Sequence, residues 1–252
     1  MEKHPVLLFD FDGVIMRSVG PSKLMAEKLQ DPRLKWNQSI RNSLNPNDLI
    51  RMFELSSRPS NLESLQIMNQ NFTPLLPSFI HRWHFFLTVA KHIPEYERKF
   101  NHIFPDICPT LMNLRKMGIT LGIISNSKRE RIERWLIHSN IQDFFSVIVT
   151  RDDRKQYLIK PDPRPILGAL IQLKRKYRWK SVDRSYVGYV GDNIIDVQAA
   201  HRAKVKAIAI LTGHGTLHSL ELQNPSVILE SFGQILNNIS HIFPDFEISS
   251  SG

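Results

Sequence analysis

Two hydrophobic rhythms divide the chain. Through its second half, short apolar runs that end in glycine or small polar residues alternate with longer amphipathic stretches. Val6–Phe9, Ile119–Ile124, Ser146–Val149, Tyr186–Val190, Ala207–Leu211 and Val227–Leu229 are too short for helices and read as buried strands. Between them Arg129–His138, Pro163–Tyr177, Ile194 to about Ala203 and Phe232–Ile242 carry a helical period, with Pro163 and Pro165 opening the second. Strands alternating with helices at this spacing predict an α/β fold, a Rossmann-like parallel sheet with helices on both faces.

Residues 19–103 read differently. Ser22–Leu29, Asn47–Leu55, Leu62–Asn69 and Pro77–His92 show helical periods, punctuated by Pro59, Pro74 and Pro94, with no clear strand. In the last of them Phe79, Ile80, Trp83, Leu87 and Ala90 fall on one face, a stripe expected in the core of a helical bundle. The first strand thus precedes an inserted α-helical domain and the rest of the sheet follows it. The expected division is a core of residues 1–18 and 104–252 with a helical cap of residues 19–103.

Composition narrows the picture. A chain of 252 residues buries a sizeable core, and its single cysteine, Cys108, excludes an internal disulfide framework and a multi-cysteine zinc site. The first five residues lead straight into a strand, so no signal peptide is expected. No apolar run approaches the ~20 residues that cross a bilayer. The expected location is the cytoplasm. The formal charge of +9 raises nucleic acid as a partner, but no nucleic-acid motif accompanies it, and a basic surface that aids solubility or attracts phosphorylated metabolites is the preferred reading. The densest basic run, Lys174 to Lys180, closes a predicted helix, where cations suit the negative end of its dipole.

The chemistry lies at the strand ends. Val6–Phe9 runs into Asp10 and Asp12, with Gly13 as a breaker, so two carboxylates sit at the carboxyl edge of the sheet, where open α/β folds bind ligands. A second strand ends in Gly191-Asp192 and opens a helix that carries Asp196 one turn on. Alone, this pair reads as an acidic helix start. With Asp10 and Asp12 on the same edge, the repulsion and desolvation would cost several kcal/mol without a counter-ion. Asp10, Asp12, Asp192 and Asp196 are therefore the candidate metal site, its oxygen donors suited to Mg²⁺. Ser125 and Asn126, following the strand Ile119–Ile124, are candidate phosphate binders at a helix start, although taken alone an ordinary Ser/Asn helix cap is the preferred reading. Lys160, held extended before Pro161, offers a cation to balance the carboxylates and a phosphate.

These four elements, in this order, resemble the haloacid dehalogenase-like hydrolase superfamily. Its first motif, Asp-x-Asp-Gly-[Thr/Val], matches Asp10 to Val14. Its second ends a strand in Ser or Thr, here Ser125. Its third is a lysine, here Lys160, and its fourth, Gly-Asp-x-x-x-Asp, matches Gly191 to Asp196. The placement of the cap between the first two motifs resembles the phosphoglycolate phosphatase and β-phosphoglucomutase branch, although the cap matches no branch residue by residue. The resemblance implies Asp10 as nucleophile, Asp12 as general acid and base, and Ser125 with Lys160 on the phosphoryl group. It implies Mg²⁺ on the Asp10 side chain, the Asp12 main-chain carbonyl and Asp192. Asp196 is then a further ligand or a partner of the metal-bound waters or of Lys160. The implied function is a Mg²⁺-dependent phosphatase of a small phosphorylated metabolite, working through an aspartyl phosphate. A sugar phosphomutase is the alternative, and a nucleic-acid end phosphatase a more distant one. Ser125-Asn126-Ser127 departs from the commoner Thr-Asn-Lys. Substrate and oligomeric state stay open.

Overall fold

The computed structural model describes residues 4–17, 28, 73, 78–153 and 159–244. The expected helices Asn47–Leu55 and Leu62–Asn69 lie outside them, as does Ser22–Leu29 except for Lys28. The chain divides into two compact units, Met1–Arg17 with Ile103–Gly252, and Ser18–His102.

In the second unit the described helix is α1 (Phe79–Phe100), which runs through Pro94 where the sequence predicts an end at His92. A proline inside a helix removes one i to i−4 hydrogen bond, so the helix continues at a cost. Its inward face also differs from the predicted stripe. Phe85 and Tyr96 are buried, while Ile80 and Leu87 are 75% and 54% exposed. Phe85 and Tyr96 stand eleven residues apart, close to three full turns, and therefore share one face. Leu87, two residues from Phe85, points nearly opposite.

The first unit is built on six parallel strands: β1 (Val6–Phe9), β2 (Thr120–Ile124), β3 (Val147–Val149), β4 (Val187–Gly191), β5 (Lys206–Ile210) and β6 (Val227–Leu229). Their order is β3-β2-β1-β4-β5-β6. The pairings β1–β2, β1–β4, β2–β3, β4–β5 and β5–β6 are all parallel. A parallel sheet is covered on both faces, and its strands are apolar without alternation. β1 accordingly buries all four side chains, Leu7 and Phe9 toward one core and Val6 and Leu8 toward the other. Each such burial contributes roughly 1.5–3 kcal/mol.

Helices α2 (Ile107–Lys116), α3 (Arg129–His138), α7 (Gln234–Asn237) and α8 (Ile239–Ile242) supply the first core, through Ile107, Leu111, Leu114, Ile132, Leu136, Ile235 and Ile239. The second core takes Ile166, Ala169 and Leu173 from α4 (Arg164–Lys176) and Val197, Ala199 and Ala200 from α5 (Ile194–Ala203). The short helix α6 (Leu217–Glu221) follows β5. The single predicted helix over Phe232–Ile242 is two helices, α7 and α8. At the break, the Asn238 carboxamide donates to the Gln234 carbonyl, a local bond that competes with a continuous helix.

β1 lies between β2 and β4, so the chain winds outward from it in both directions. The strand order reverses at the β1–β4 boundary. There the carboxyl ends of neighbouring strands leave a crevice, the usual ligand position in this architecture. Ile15 and Phe104, joined by a 3.2 Å hydrogen bond from the Phe104 N–H, bring the departing and returning chain together beside that edge.

Candidate active site

Asp10 follows β1 directly, and its N–H still donates to the Val190 carbonyl at 2.8 Å, so the carboxylate is fixed at the β1–β4 crevice. Asp192 follows β4, and Asp196 lies in the first turn of α5. That turn is closed by a reciprocal cap: Asn193 Oδ1 accepts from Ile195 N–H, and Asp196 Oδ2 accepts from Asn193 N–H at 3.0 Å. Asp10, Asp192 and Asp196 are all buried, and each offers an oxygen within 4.8 Å of the others.

Lys160 sits between two of them. Its Nζ lies 2.7 Å from Asp10 Oδ1 and 2.7 Å from Asp196 Oδ1, and the residue is only 3% exposed. The Lys160 N–H donates to Asn126 Oδ1 at 3.0 Å, and the peptide into Pro161 is cis. Asn126, a phosphate-binding candidate from sequence, thus uses its carboxamide oxygen to place the lysine. Tyr189 OH reaches Asp196 Oδ1 at 3.2 Å and the Ile124 carbonyl at 3.1 Å.

Burial pushes the Asp10 carboxyl up to about 8. Lys160 opposes the rise, and the Asp196 and Asp192 carboxylates reinforce it. Asp196 is raised for the same reasons, burial first, with Lys160 again opposing and Asp192 reinforcing. Burial lowers Lys160, but Asp10 and Asp196 outweigh it and hold the ammonium well above its ordinary range. Three buried carboxylates against one buried ammonium leave a surplus of negative charge, which a divalent cation would relieve.

The donor set fits such an ion. All donors are hard oxygens, as Mg²⁺ requires. Asp10 Oδ1 accepts no well-aligned hydrogen bond, despite its ion-pair distance to Lys160. Asp196 has Lys160 on one oxygen and Asn193 N–H on the other, so Asp10 and Asp192 are the freer donors. Asp192 is held by the turn after β5. His214 N–H donates to its Oδ2 at 2.7 Å and Gly215 N–H to its carbonyl at 2.9 Å. A β-carbon on Gly213 would fall 1.9 Å from Asp192 Oδ2, so this turn closes on the carboxylate only with glycine there.

Ser125 is buried at the end of β2, with its N–H on the Val149 carbonyl and its Oγ accepting from Ser127 N–H at 3.1 Å. The hydroxyl proton is left to donate. Asp12 points to a different set of partners. Arg131 grips both its oxygens at 2.8 Å, and Ser127 Oγ donates to Oδ2 at 2.8 Å. Arg131, Ser127, Tyr189 and the turn at 212–215 are not singled out by sequence reasoning. The only signal for the first two is that Ser127 and Arg131 stand one helical turn apart just after the second motif.

Comparison with known proteins places these residues in context. The family model described as haloacid dehalogenase-like hydrolase matches residues 7–210. A phosphoglycolate phosphatase of Pectobacterium atrosepticum is 29% identical over 139 residues, which cover 55% of this chain and 56% of that protein. The match thus spans little more than half of that relative's length. Pyrophosphatase PpaX of Oceanobacillus iheyensis is 27% identical over 188 residues, 73% of this chain and 84% of that one. Among solved structures, a hydrolase from Pseudomonas syringae superposes with a TM-score of 0.67 at 20% identity, covering 95% of this chain and 99% of its own. A subfamily IA hydrolase of the same superfamily from Geobacter sulfurreducens gives a TM-score of 0.64 at 17% identity, covering 93% and 95%.

Proposed function

This chain belongs to the haloacid dehalogenase-like hydrolase family, and on that premise we propose that it is a Mg²⁺-dependent phosphatase of small phosphorylated metabolites that carries the phosphoryl group on Asp10. The observation that carries the reading is the meeting of Asp10, Asp192 and Lys160 in one buried crevice at the strand-order reversal. The names of the relatives, a phosphoglycolate phosphatase and a pyrophosphatase, support a small substrate with a phosphate to lose.

In this reading an Asp10 carboxylate oxygen attacks phosphorus in line with the leaving oxygen, and the ester bond breaks as the aspartyl phosphate forms. Asp12 gives a proton to the departing oxygen. It then takes one from the water that attacks phosphorus, which restores Asp10 and releases phosphate. Lys160 and the Ser125 hydroxyl face the phosphoryl oxygens and offset their charge. The Asp10 side chain, the Asp12 main-chain carbonyl and Asp192 would hold Mg²⁺. When bound, the ion neutralises charge between nucleophile and phosphate. Asp196 keeps Lys160 in place. Residues 19–103 are assigned the part of a cap that helps choose the substrate.

The test is turnover of p-nitrophenyl phosphate with and without Mg²⁺, together with mass spectrometry of acid-quenched protein. We expect turnover that a chelator abolishes and one phosphoryl group on Asp10. Asp10→Asn, nearly isosteric, should lose the adduct and several orders of magnitude in kcat. Activity of that variant within about tenfold of the parent would refute covalent catalysis at Asp10.

A further inference from the structure

Tyr189 belongs to β4, three residues before Asp192, and its ring is buried in the second core. Packing alone would be served by phenylalanine, whereas a buried phenol carries a hydroxyl that must find partners. It finds two. The hydroxyl oxygen lies 3.1 Å from the Ile124 carbonyl, at the end of β2, and 3.2 Å from Asp196 Oδ1, in the first turn of α5. The Lys160 ammonium stands 5.7 Å from the centroid of the same ring, within the reach of a cation–π contact. One side chain thus meets β2, the start of α5 and the lysine that stands between Asp10 and Asp196.

Burial lifts the Tyr189 phenol well above its ordinary range, with Lys160 opposing and Asp196 and Asp10 reinforcing, so the hydroxyl keeps its proton. That single proton faces two acceptors. Both distances exceed the roughly 2.7–2.8 Å usual for an O–H···O bond, as a shared proton requires. Asp196 Oδ1 also has the Lys160 ammonium at 2.7 Å, and that one charge serves Asp10 as well. A phosphoryl group entering the crevice draws on the same ammonium, and the share left to Asp196 falls. A turn about the Tyr189 C–O bond then swings the proton from the Ile124 carbonyl fully onto Asp196, with no movement of heavy atoms. The carboxylate keeps its place while Lys160 serves the phosphate.

We infer that Tyr189 is a positioning residue of the phosphoryl site, its hydroxyl fixing Asp196 and, through Asp196, the aim of Lys160 at the phosphoryl group. The Ile124 carbonyl is the resting partner of its proton. Tyr189 takes no part in the bonds that form and break. Its role rests on the phosphatase reading above and adds to it the group that keeps the lysine in line when substrate competes for its charge.

Tyr189→Phe removes the hydroxyl and keeps the ring. Turnover of p-nitrophenyl phosphate and its competitive inhibition by inorganic phosphate read the phosphoryl site, in the parent, in Tyr189→Phe, in Asp196→Asn and in the double variant. We expect Tyr189→Phe to lower kcat/KM about tenfold and to raise the Ki of inorganic phosphate by a similar factor, the size of a lost hydrogen bond to a charged group. In the Asp196→Asn background the same change should cost less than about twofold, because the carboxylate it acts through is gone. An equal fall in both backgrounds would overturn the inference, since the hydroxyl would then act on the fold. So would a Tyr189→Phe protein that loses stability in urea while kcat/KM and the phosphate Ki hold. Should Asp196→Asn not fold, the Ki of Tyr189→Phe decides alone, and an unchanged value overturns the inference. A parent that neither turns over p-nitrophenyl phosphate nor binds inorganic phosphate refutes the phosphatase reading itself, and this inference with it. A parent that does both, beside a Tyr189→Phe variant that matches it, refutes the inference only.

Discussion

At Gly13 the backbone takes a φ of +77°, and a β-carbon there would fall 2.5 Å from Cγ of Asp192. The turn after the first motif therefore demands glycine twice, once for the left-handed backbone and once for the approach of a carboxylate. Gly13→Ala should destabilise the fold by about 1–3 kcal/mol and push Asp192 from its place, so that activity requires more Mg²⁺. Urea unfolding and a Mg²⁺ titration of turnover check the two effects separately. Unchanged stability with an unchanged Mg²⁺ requirement would mean that the turn relaxes freely. The same residues explain what the sequence makes visible. Asp10, Asp12, Asp192 and Lys160 sit at strand ends or against a proline, so local spacing alone gives their position on the sheet edge. Arg131 reaches Asp12 across 119 positions of sequence, and His214 reaches Asp192 across 22. Such pairings depend on how α3 and the turn after β5 pack, and no local period encodes them.

At the scale of elements, the start of α3 is tied to the end of β3 by two carboxylates, Asp152, which accepts from the Arg129 N–H at 2.8 Å, and Asp153. Asp153 accepts from Thr150 N–H and Oγ1 and from the fork of Arg129, whose NH2 also reaches the Ile148 carbonyl. Burial pushes Asp153 up, but Arg129 and Thr150 outweigh it and hold the carboxyl below the usual range. A group with its folded value depressed adds stability that is fully present above the unfolded value, near pH 4, and is lost as pH falls through the folded value. Asp153→Asn should therefore lower the unfolding free energy by about 1 kcal/mol at neutral pH, a figure kept small because the pair is partly exposed. Denaturant unfolding in acid should show the parent and the variant converging. A gap of constant size across that range would assign the loss to packing instead of charge. The strands are legible because a two-sided sheet needs unbroken apolar runs, and β1 to β6 all have one. Helix α2 is not among the predicted helices, and Pro105 and Pro109 lie just before and within its first turn. In the structure Pro109 occupies the first turn of α2, where no N–H is required of it.

For the molecule as a whole, the net charge of +9 attracts phosphate dianions, but its parts lie at different distances from the site. α4 begins four residues after Lys160 and runs 13 residues, about 20 Å at 1.5 Å per residue, to the exposed cations Lys174, Arg175 and Lys180 around its far end. In water a unit charge at about 25 Å acts on a dianion with about 0.3 kcal/mol before screening. At an ionic strength near 10 mM the screening length is about 30 Å, and at 150 mM it is about 8 Å. Three such charges therefore add about 0.4 kcal/mol to the attraction at low salt, close to a factor of two, and almost nothing at physiological salt. Replacing Lys174, Arg175 and Lys180 with glutamine should lower kcat/KM for a phosphate monoester about twofold near 10 mM and leave it unchanged near 150 mM, with kcat constant throughout. Lys176 is left in place because its ammonium donates to the Ser146 carbonyl and helps seat the helix. An effect that persists at 150 mM would show that the basic run touches the substrate or supports the fold, and that distance does not set its role.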